Sequence, residues 1–156
     1  MDSVPPSASS STVALRPARP DDAEFLWALH RQTLCTAVEQ TWGPWDDIAQ
    51  RQFFDRGFDP ANTAIILLAR RPAGRLDVRR SPTEIFLGLV EIMPELQGRG
   101  LGSRLVQDLQ AEARTARLPI RLQVLKANAA ARRLYERLGF TVTSQTATHH
   151  LMQWTP

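Results

Sequence analysis

The residues best able to do chemistry cluster in the second half of the chain. Gln97-Gly98-Arg99-Gly100-Leu101-Gly102-Ser103 sets three glycines at alternate positions, between an apolar run and a stretch with helical spacing. Glycine lets backbone N–H groups approach a ligand closely, and a helix that starts there adds its own unpaired N–H groups, so the pattern describes an anion site. Each charge-assisted hydrogen bond contributes about 1.5–3 kcal/mol and the helix terminus about 0.3–1 kcal/mol; a pyrophosphate touching several amides would be held firmly. The spacing is not GxxxxGK[ST], and no Lys follows. It also departs from GxGxxG, since Ser103 stands where the third glycine belongs and the preceding strand is not the first of the chain. Alone, the same glycines fit a tight strand-to-helix turn. Thirty-one residues after Gln97, Asn128 occupies an N-cap position, and Tyr135 follows on the face shared by Leu134 and Leu138.

Acid–base candidates are few. Glu91 is the only charge within the run Ile85–Met93, where desolvation favours the protonated carboxyl; it is either a proton acceptor or a buried carboxylate satisfied by an arginine or a backbone N–H. Tyr135 is either a phenolic acid or a core aromatic. Glu39, Trp42, Trp45, Asp46 and Asp47 sit between two helices, where indoles with carboxylates suit a cationic amine and equally suit packing beneath a loop. His149 and His150 alternate faces in the last strand. His30, Cys35 and Met152 read as packing.

Periodicity places these groups on elements. A short strand over Val13–Arg16 precedes a helix over about 21–36, opened by Pro20-Asp21-Asp22-Ala23-Glu24 with Phe25, Leu26, Leu29 and Thr33 on one face. The segment Glu39–Asp47, broken by Gly43-Pro44, is predicted as a loop, followed by a helix over about 46–56. Strands follow over 64–70 and about 75–79, with Pro72-Ala73-Gly74 as the turn between them. Ile85–Met93 reads as a strand buried on both faces. A helix follows the glycines to about Arg114, then a strand over Pro119–Leu125, a helix stopping at Gly139, and strands over 140–143 and 148–154. This order, β-α-α-β-β-β-α-β-α-β-β, describes an α/β domain with a mixed sheet, because the late strand–helix–strand unit needs a parallel pair.

The chain has 156 residues, 43% of them hydrophobic, enough for one core without disulfide or metal support. Cys35 is the single cysteine; no cluster has zinc spacing, so no metal is expected and a cytoplasmic protein is the simpler expectation. Residues 1–11 are Ser- and Pro-rich and read as a disordered tail, leaving 12–156 as one domain. No apolar stretch reaches the roughly 18 residues that cross a bilayer, so no membrane partner is expected. Eighteen of the nineteen cationic residues are arginines, but the net charge is only +3, short of a nucleic-acid footprint.

The stretches MPELQGRGLGSRL and LQVLKANAAARRLYERLGF resemble the GNAT superfamily of acetyl-CoA-dependent N-acetyltransferases. They carry both its Q/R-x-x-G-x-G/A signature and its later Asn-x-x-Ala-x-x-Leu-Tyr and Gly-Phe signature, over about residues 84–142. The resemblance implies the acyl-CoA N-acyltransferase fold, a mixed sheet flanked by helices and splayed between the strands ending at Met93 and Leu125. It implies acetyl-CoA as co-substrate, with Ile92 and Met93 lending backbone groups to the pantetheine arm. Gln97, Gly98, Arg99, Gly100, Leu101, Gly102 and Ser103 would cradle the pyrophosphate. Asn128 would bond the pantetheine, Arg132 would meet a phosphate, and Tyr135 would stand near the thioester sulfur. The acceptor would be a small-molecule or peptide amine near Glu39, Trp42 and Trp45. Homodimers occur in the family, and nothing in this sequence decides for or against one.

An alkyl amine with pKa near 10.4 presents its lone pair at pH 7 at a cost of about 4.6 kcal/mol, so a group or an ordered water must take its proton. Glu91 is the first candidate, although the family's histone-modifying members carry their glutamate where Phe86 falls here. Tyr135 suits the return of a proton to the thiolate. Two other classes compete: a non-catalytic acyl-CoA-binding domain on the same fold, and an Arg-rich RNA-binding module, against which the scarcity of aromatics among the arginines of 99–137 counts.

Overall fold

The structure is a computed structural model and describes residues 12–156; the tail expected over 1–11 lies outside the described residues. Its elements are β1 (Val13–Pro17), α1 (Ala23–Trp42), α2 (Asp47–Gly57), β2 (Thr63–Leu68), β3 (Arg71–Arg80), β4 (Ile85–Ile92), α3 (Leu101–Ala116), β5 (Ile120–Leu125), α4 (Ala129–Arg137), β6 (Thr141–Gln145) and β7 (His149–Trp154). This is the order that the periodicities predict, with two local differences. Helix α1 continues to Trp42, because no breaker intervenes before Gly43, whose φ of 97° ends it and whose N–H bonds Glu39 O. Glu39 and Trp42 are therefore helical, and only Gly43–Asp46 remains as the connection.

The second difference is the β2–β3 turn. It is made by Ala69 and Arg70, at φ of 50° and 66°, two left-handed residues in succession as a two-residue hairpin requires. Pro72, Ala73 and Gly74 belong to β3. Ile66 pairs with Gly74 and Leu67 with Pro72, so Ala73 is an inserted residue, and this bulge is where a proline fits within a sheet. Gly74 is needed for a different reason: a Cβ there would collide with the Glu91 carbonyl of the neighbouring strand.

The sheet runs β1-β2-β3-β4-β5-β7-β6 and is open at both edges. Every pairing is antiparallel except β4 with β5. That parallel pair holds for only three positions, Ile85–Leu87 against Ile120–Leu122, and beyond them the strands part. The parting coincides with a bulge: Val78 pairs with Leu87 and Asp77 with Leu89, leaving Gly88 extra. One inserted residue exchanges the two faces of a strand. Ile85 and Leu87 before it, and Val90 and Ile92 after it, join the core under α3 and α4 with Leu105, Leu109, Tyr135 and Phe140. Glu91 is left on the opposite face, beneath α1. A second, smaller core of Ala18, Leu26, Phe54 and Ile65 seats α1 and α2.

Candidate functional site

The parting of β4 and β5 opens a cleft of about 830 Å³ that reaches both faces of the sheet. On one side it is lined by the glycine loop and α3, by Asn128, Ala131, Leu134, Tyr135 and Arg137 of α4, and by the exposed edge of β4. On the other side stand His30, Thr33, Val38 and Trp42 of α1, Gln50 and Phe53 of α2, and His149 of β7. Glu91 lies where the two sides meet.

The glycine loop has the form its sequence predicts. Gly98 and Gly100 adopt φ of 76° and 80°, a region that costs other residues roughly 1–2 kcal/mol. The chain thereby turns from a short 3-10 segment, Pro94–Leu96, into α3. The Arg104 N–H bonds Gly100 O, so the N–H groups of Leu101, Gly102 and Ser103 precede the first helical hydrogen bond and project from the helix end. Gln97 turns inward and donates from Nε2 to Ile92 O at 2.9 Å. Arg99 points away, its guanidinium 3.5 Å from Glu95 O, and it does not line the cleft.

The edge of β4 presents a different pair of backbone groups from the one expected. Met93 donates its N–H to Ala73 O and accepts from Leu96 N, so both of its polar groups are engaged within the chain. Alternation along the strand then turns Val90 and Ile92 toward β5, and no strand meets them there. Gly88 is the reason: the bulge shifts the frame by one residue.

On α4, Asn128 caps the helix, its Oδ1 accepting from Ala131 N at 3.3 Å. Its Nδ2 has no partner among the described residues. Tyr135 is buried against Phe140, with ring centroids 5.6 Å apart, and burial pushes its phenol up to about 12. Arg132 lies outside the cleft, bonding Glu136 at 2.7 Å and His150 Nε2 at 2.9 Å. Arg137 lines the cleft instead; it sits one helical turn beyond Leu134, a spacing legible in the sequence.

The acceptor candidates separate. Trp42 lines the cleft mouth, 59% exposed, its ring 6.3 Å from His149. Trp45 does not; it packs on Trp27 and His30 and donates from Nε1 to Asp47 at 2.6 Å. Glu39 accepts the Trp45 N–H at 3.2 Å and holds the connection after α1. Asp46 caps α2 through Ala49 N.

Glu91 is 3% exposed. Its Oε2 accepts from Thr33 Oγ1 at 2.7 Å and lies 3.0 Å from His30 Nδ1, while its Oε1 is buried without a partner. Arg75, its cross-strand neighbour, is committed to Asp77 through two bonds of 2.9 and 2.7 Å. His30 and Thr33, three residues apart on α1, were legible only as packing positions, because the partner that gives them meaning is about sixty residues away.

The chain matches the model of the family described as "Acetyltransferase (GNAT) family" over residues 23–140. It is 40% identical over 67 residues to the 5-NmdU N-acetyltransferase of Pseudomonas phage PaMx11, a match spanning 43% of this chain and 46% of that protein, less than half of the relative's length. Among solved structures, PaiA N-acetyltransferase from Thermoplasma acidophilum in complex with coenzyme A superposes with a TM-score of 0.72 at 14% identity, over 93% of this chain and 99% of that one. An acetyltransferase from Thermus thermophilus gives 0.68 at 21% identity, over 93% and 97%. Arabidopsis thaliana Naa50 in complex with the bisubstrate analogue CoA-Ac-MVNAL gives 0.63 at 15%, over 92% and 99%. At these identities the structural likeness speaks for the fold, and together with the match over residues 23–140 it places the chain in the GNAT acetyltransferase family.

Proposed function

We propose that the protein is an N-acetyltransferase, moving an acetyl group from acetyl-CoA to a primary amine by direct attack within a ternary complex. The observation that carries this reading is the single cleft in which unpaired N–H groups at the start of α3, the open edge of β4, Tyr135 and Glu91 converge. The N–H groups of Leu101, Gly102 and Ser103 and the turn at Gly98 and Gly100 suit the pyrophosphate. The backbone groups of Val90, the Ile92 N–H and Asn128 Nδ2 are free to bond the amides of a pantetheine arm laid in the wedge, while Ile92 O is held by Gln97. Arg137 is better placed than Arg132 for a phosphate. The supporting relatives are the phage enzyme, itself named an N-acetyltransferase, and neighbours whose names include coenzyme A or a CoA–peptide conjugate.

The reaction joins the amine nitrogen to the thioester carbonyl carbon and breaks the C–S bond. Tyr135 stays a phenol throughout the neutral range, a hydrogen-bond donor to the departing sulfur that passes its proton on as charge collects there. Glu91 is the buried carboxyl group on the acceptor side, and Trp42 offers an aromatic face at the mouth; a primary amine on a small molecule or a peptide fits that half. Acetyl-CoA is expected to raise the melting temperature of the purified protein and to release CoA with at least one member of a panel of primary amines and short peptides. Absence of both effects, or stabilisation by acetyl-CoA without turnover of any amine, would sink the proposal.

A further inference from the structure

The acceptor side of the cleft holds an ion-pair geometry that direct attack alone does not use. His30 Nδ1 lies 3.0 Å from Glu91 Oε2, and the two side chains are 12% and 2% exposed. Thr33 Oγ1 holds the same carboxylate oxygen from one turn further along α1. With Nδ1 committed to the carboxylate, the ring is oriented by its far side. Nε2 has no partner among the described residues and is not sealed from solvent, and His30 lines the cleft. The ring is also braced by aromatics, Phe54 at 5.8 Å and Trp27 and Trp45 at 6.5 Å between centroids. An imidazole fixed in plane, with one nitrogen on a carboxylate and the other on a cavity, has the form of a base held by an orienting acid.

We infer that His30 Nε2 takes the proton from the acceptor ammonium, and that Glu91 is a positioning residue that keeps the proton of neutral His30 on Nδ1. The inference rests on the acetyltransferase reading and supplies the base that this reading leaves unassigned. The protons balance: of the three on the ammonium, one passes to His30 and then to solvent, one remains on the amide product, and one ends on the CoA sulfur by way of Tyr135. The Glu91 side chain faces the imidazolium that forms. The other charged and titratable groups around the ring are already paired. Arg75 and Asp77 on β3 bond each other, Arg31 on α1 meets Asp47 of α2 at 3.2 Å, Arg51 of α2 meets Glu24 and Asp55, and His149 of β7, on the same side of the cleft, has its Nδ1 on Thr148 Oγ1 at 2.8 Å and its ring against Trp42. Glu91 is thus the charge that His30 directly feels.

Two measurements test the pair. In a ¹⁵N-imidazole titration of the whole protein, neutral His30 is expected to carry its proton on Nδ1 with Nε2 bare, and Glu91→Gln is expected to abolish that preference. A proton on Nε2, or a tautomer indifferent to Glu91→Gln, overturns the inference. In steady-state assays with acetyl-CoA and whichever panel amine turns over, His30→Gln is expected to lower kcat about 10²–10³-fold at pH 7. The KM for acetyl-CoA should stay within about twofold and the acid limb of the pH–rate profile should vanish. The deficit should narrow as pH rises toward the amine's own pKa, where the nucleophile arrives already deprotonated. Glu91→Gln is expected to cost about tenfold and to move the acid limb to lower pH, an effect that a merely structural carboxylate would not have. Wild-type kcat and an intact acid limb in His30→Gln overturn the assignment. If acetyl-CoA binds but no amine turns over, the transfer reading has failed, and the tautomer titration decides the His30–Glu91 pairing by itself. Melting temperatures separate lost chemistry from lost fold, and where His30→Gln does not fold, the titration and Glu91→Gln carry the test.

Discussion

Burial of Tyr135 beside Phe140 has a consequence for stability as well as for chemistry. Its phenol is held up at about 12 against an ordinary 10.0, so above pH 10 the unfolded chain releases a proton that the folded one keeps. The stabilisation is whole below pH 10 and is lost as pH climbs through 12, to the extent of about 3 kcal/mol. Tyr135→Phe should flatten that alkaline decline in the melting temperature, while lowering kcat about 10²-fold or more at pH 7 with little change in the KM for acetyl-CoA; a variant with undiminished kcat would remove Tyr135 from the reaction. Residues such as Tyr135 and Asn128 were legible in the sequence because their motif is local. His30 was not: its spacing announces only a buried helix face, and the carboxylate that gives it a chemical orientation is supplied by a distant strand whose face depends on one inserted glycine.

Elements carry the next level of consequence. The turn into α3 depends on left-handed backbone at Gly98 and Gly100, and Gly100→Ala is expected to cost about 1–2 kcal/mol. It should also weaken acetyl-CoA binding, read as a smaller ligand-induced rise in melting temperature. Gly74 acts in a different element and for a different reason, because a Cβ there drives β3 off the β4 backbone at Glu91. Gly74→Ala should destabilise by about 1–3 kcal/mol, measured as a lower urea midpoint at unchanged slope. Element order was readable throughout because periods of two and of 3.6 residues alternate cleanly along the chain. The β2–β3 turn escaped because Ala69 and Arg70 hold a backbone conformation their residue types do not advertise, whereas Pro72 and Gly74, the usual turn formers, are absorbed by a bulge and a close strand approach.

At the scale of the molecule, charge is distributed unevenly. Residues 97–137 carry a net +6 and the remaining 115 carry −3, so the basic excess belongs to the segment that holds the glycine loop and the acidic excess to the rest of the chain. Raising ionic strength from about 50 to 500 mM should increase the KM for acetyl-CoA several-fold and leave kcat nearly constant; a salt-insensitive KM would mean that this asymmetry does not act on the acyl donor. The split was visible in composition, but which of these cations lines the cleft, Arg137, needed the fold. The two parts of the sheet, β1–β4 and β5–β7, meet through three residue pairs at one end of the wedge. An acyl donor lying in the wedge would supply backbone hydrogen bonds that the two strands withhold from each other. Mass action makes such a ligand contribute about 2.7 kcal/mol at a hundredfold excess over its dissociation constant. The supply of acyl donor would then govern how long the molecule survives proteolysis and heat, and not only how fast the proposed transfer runs.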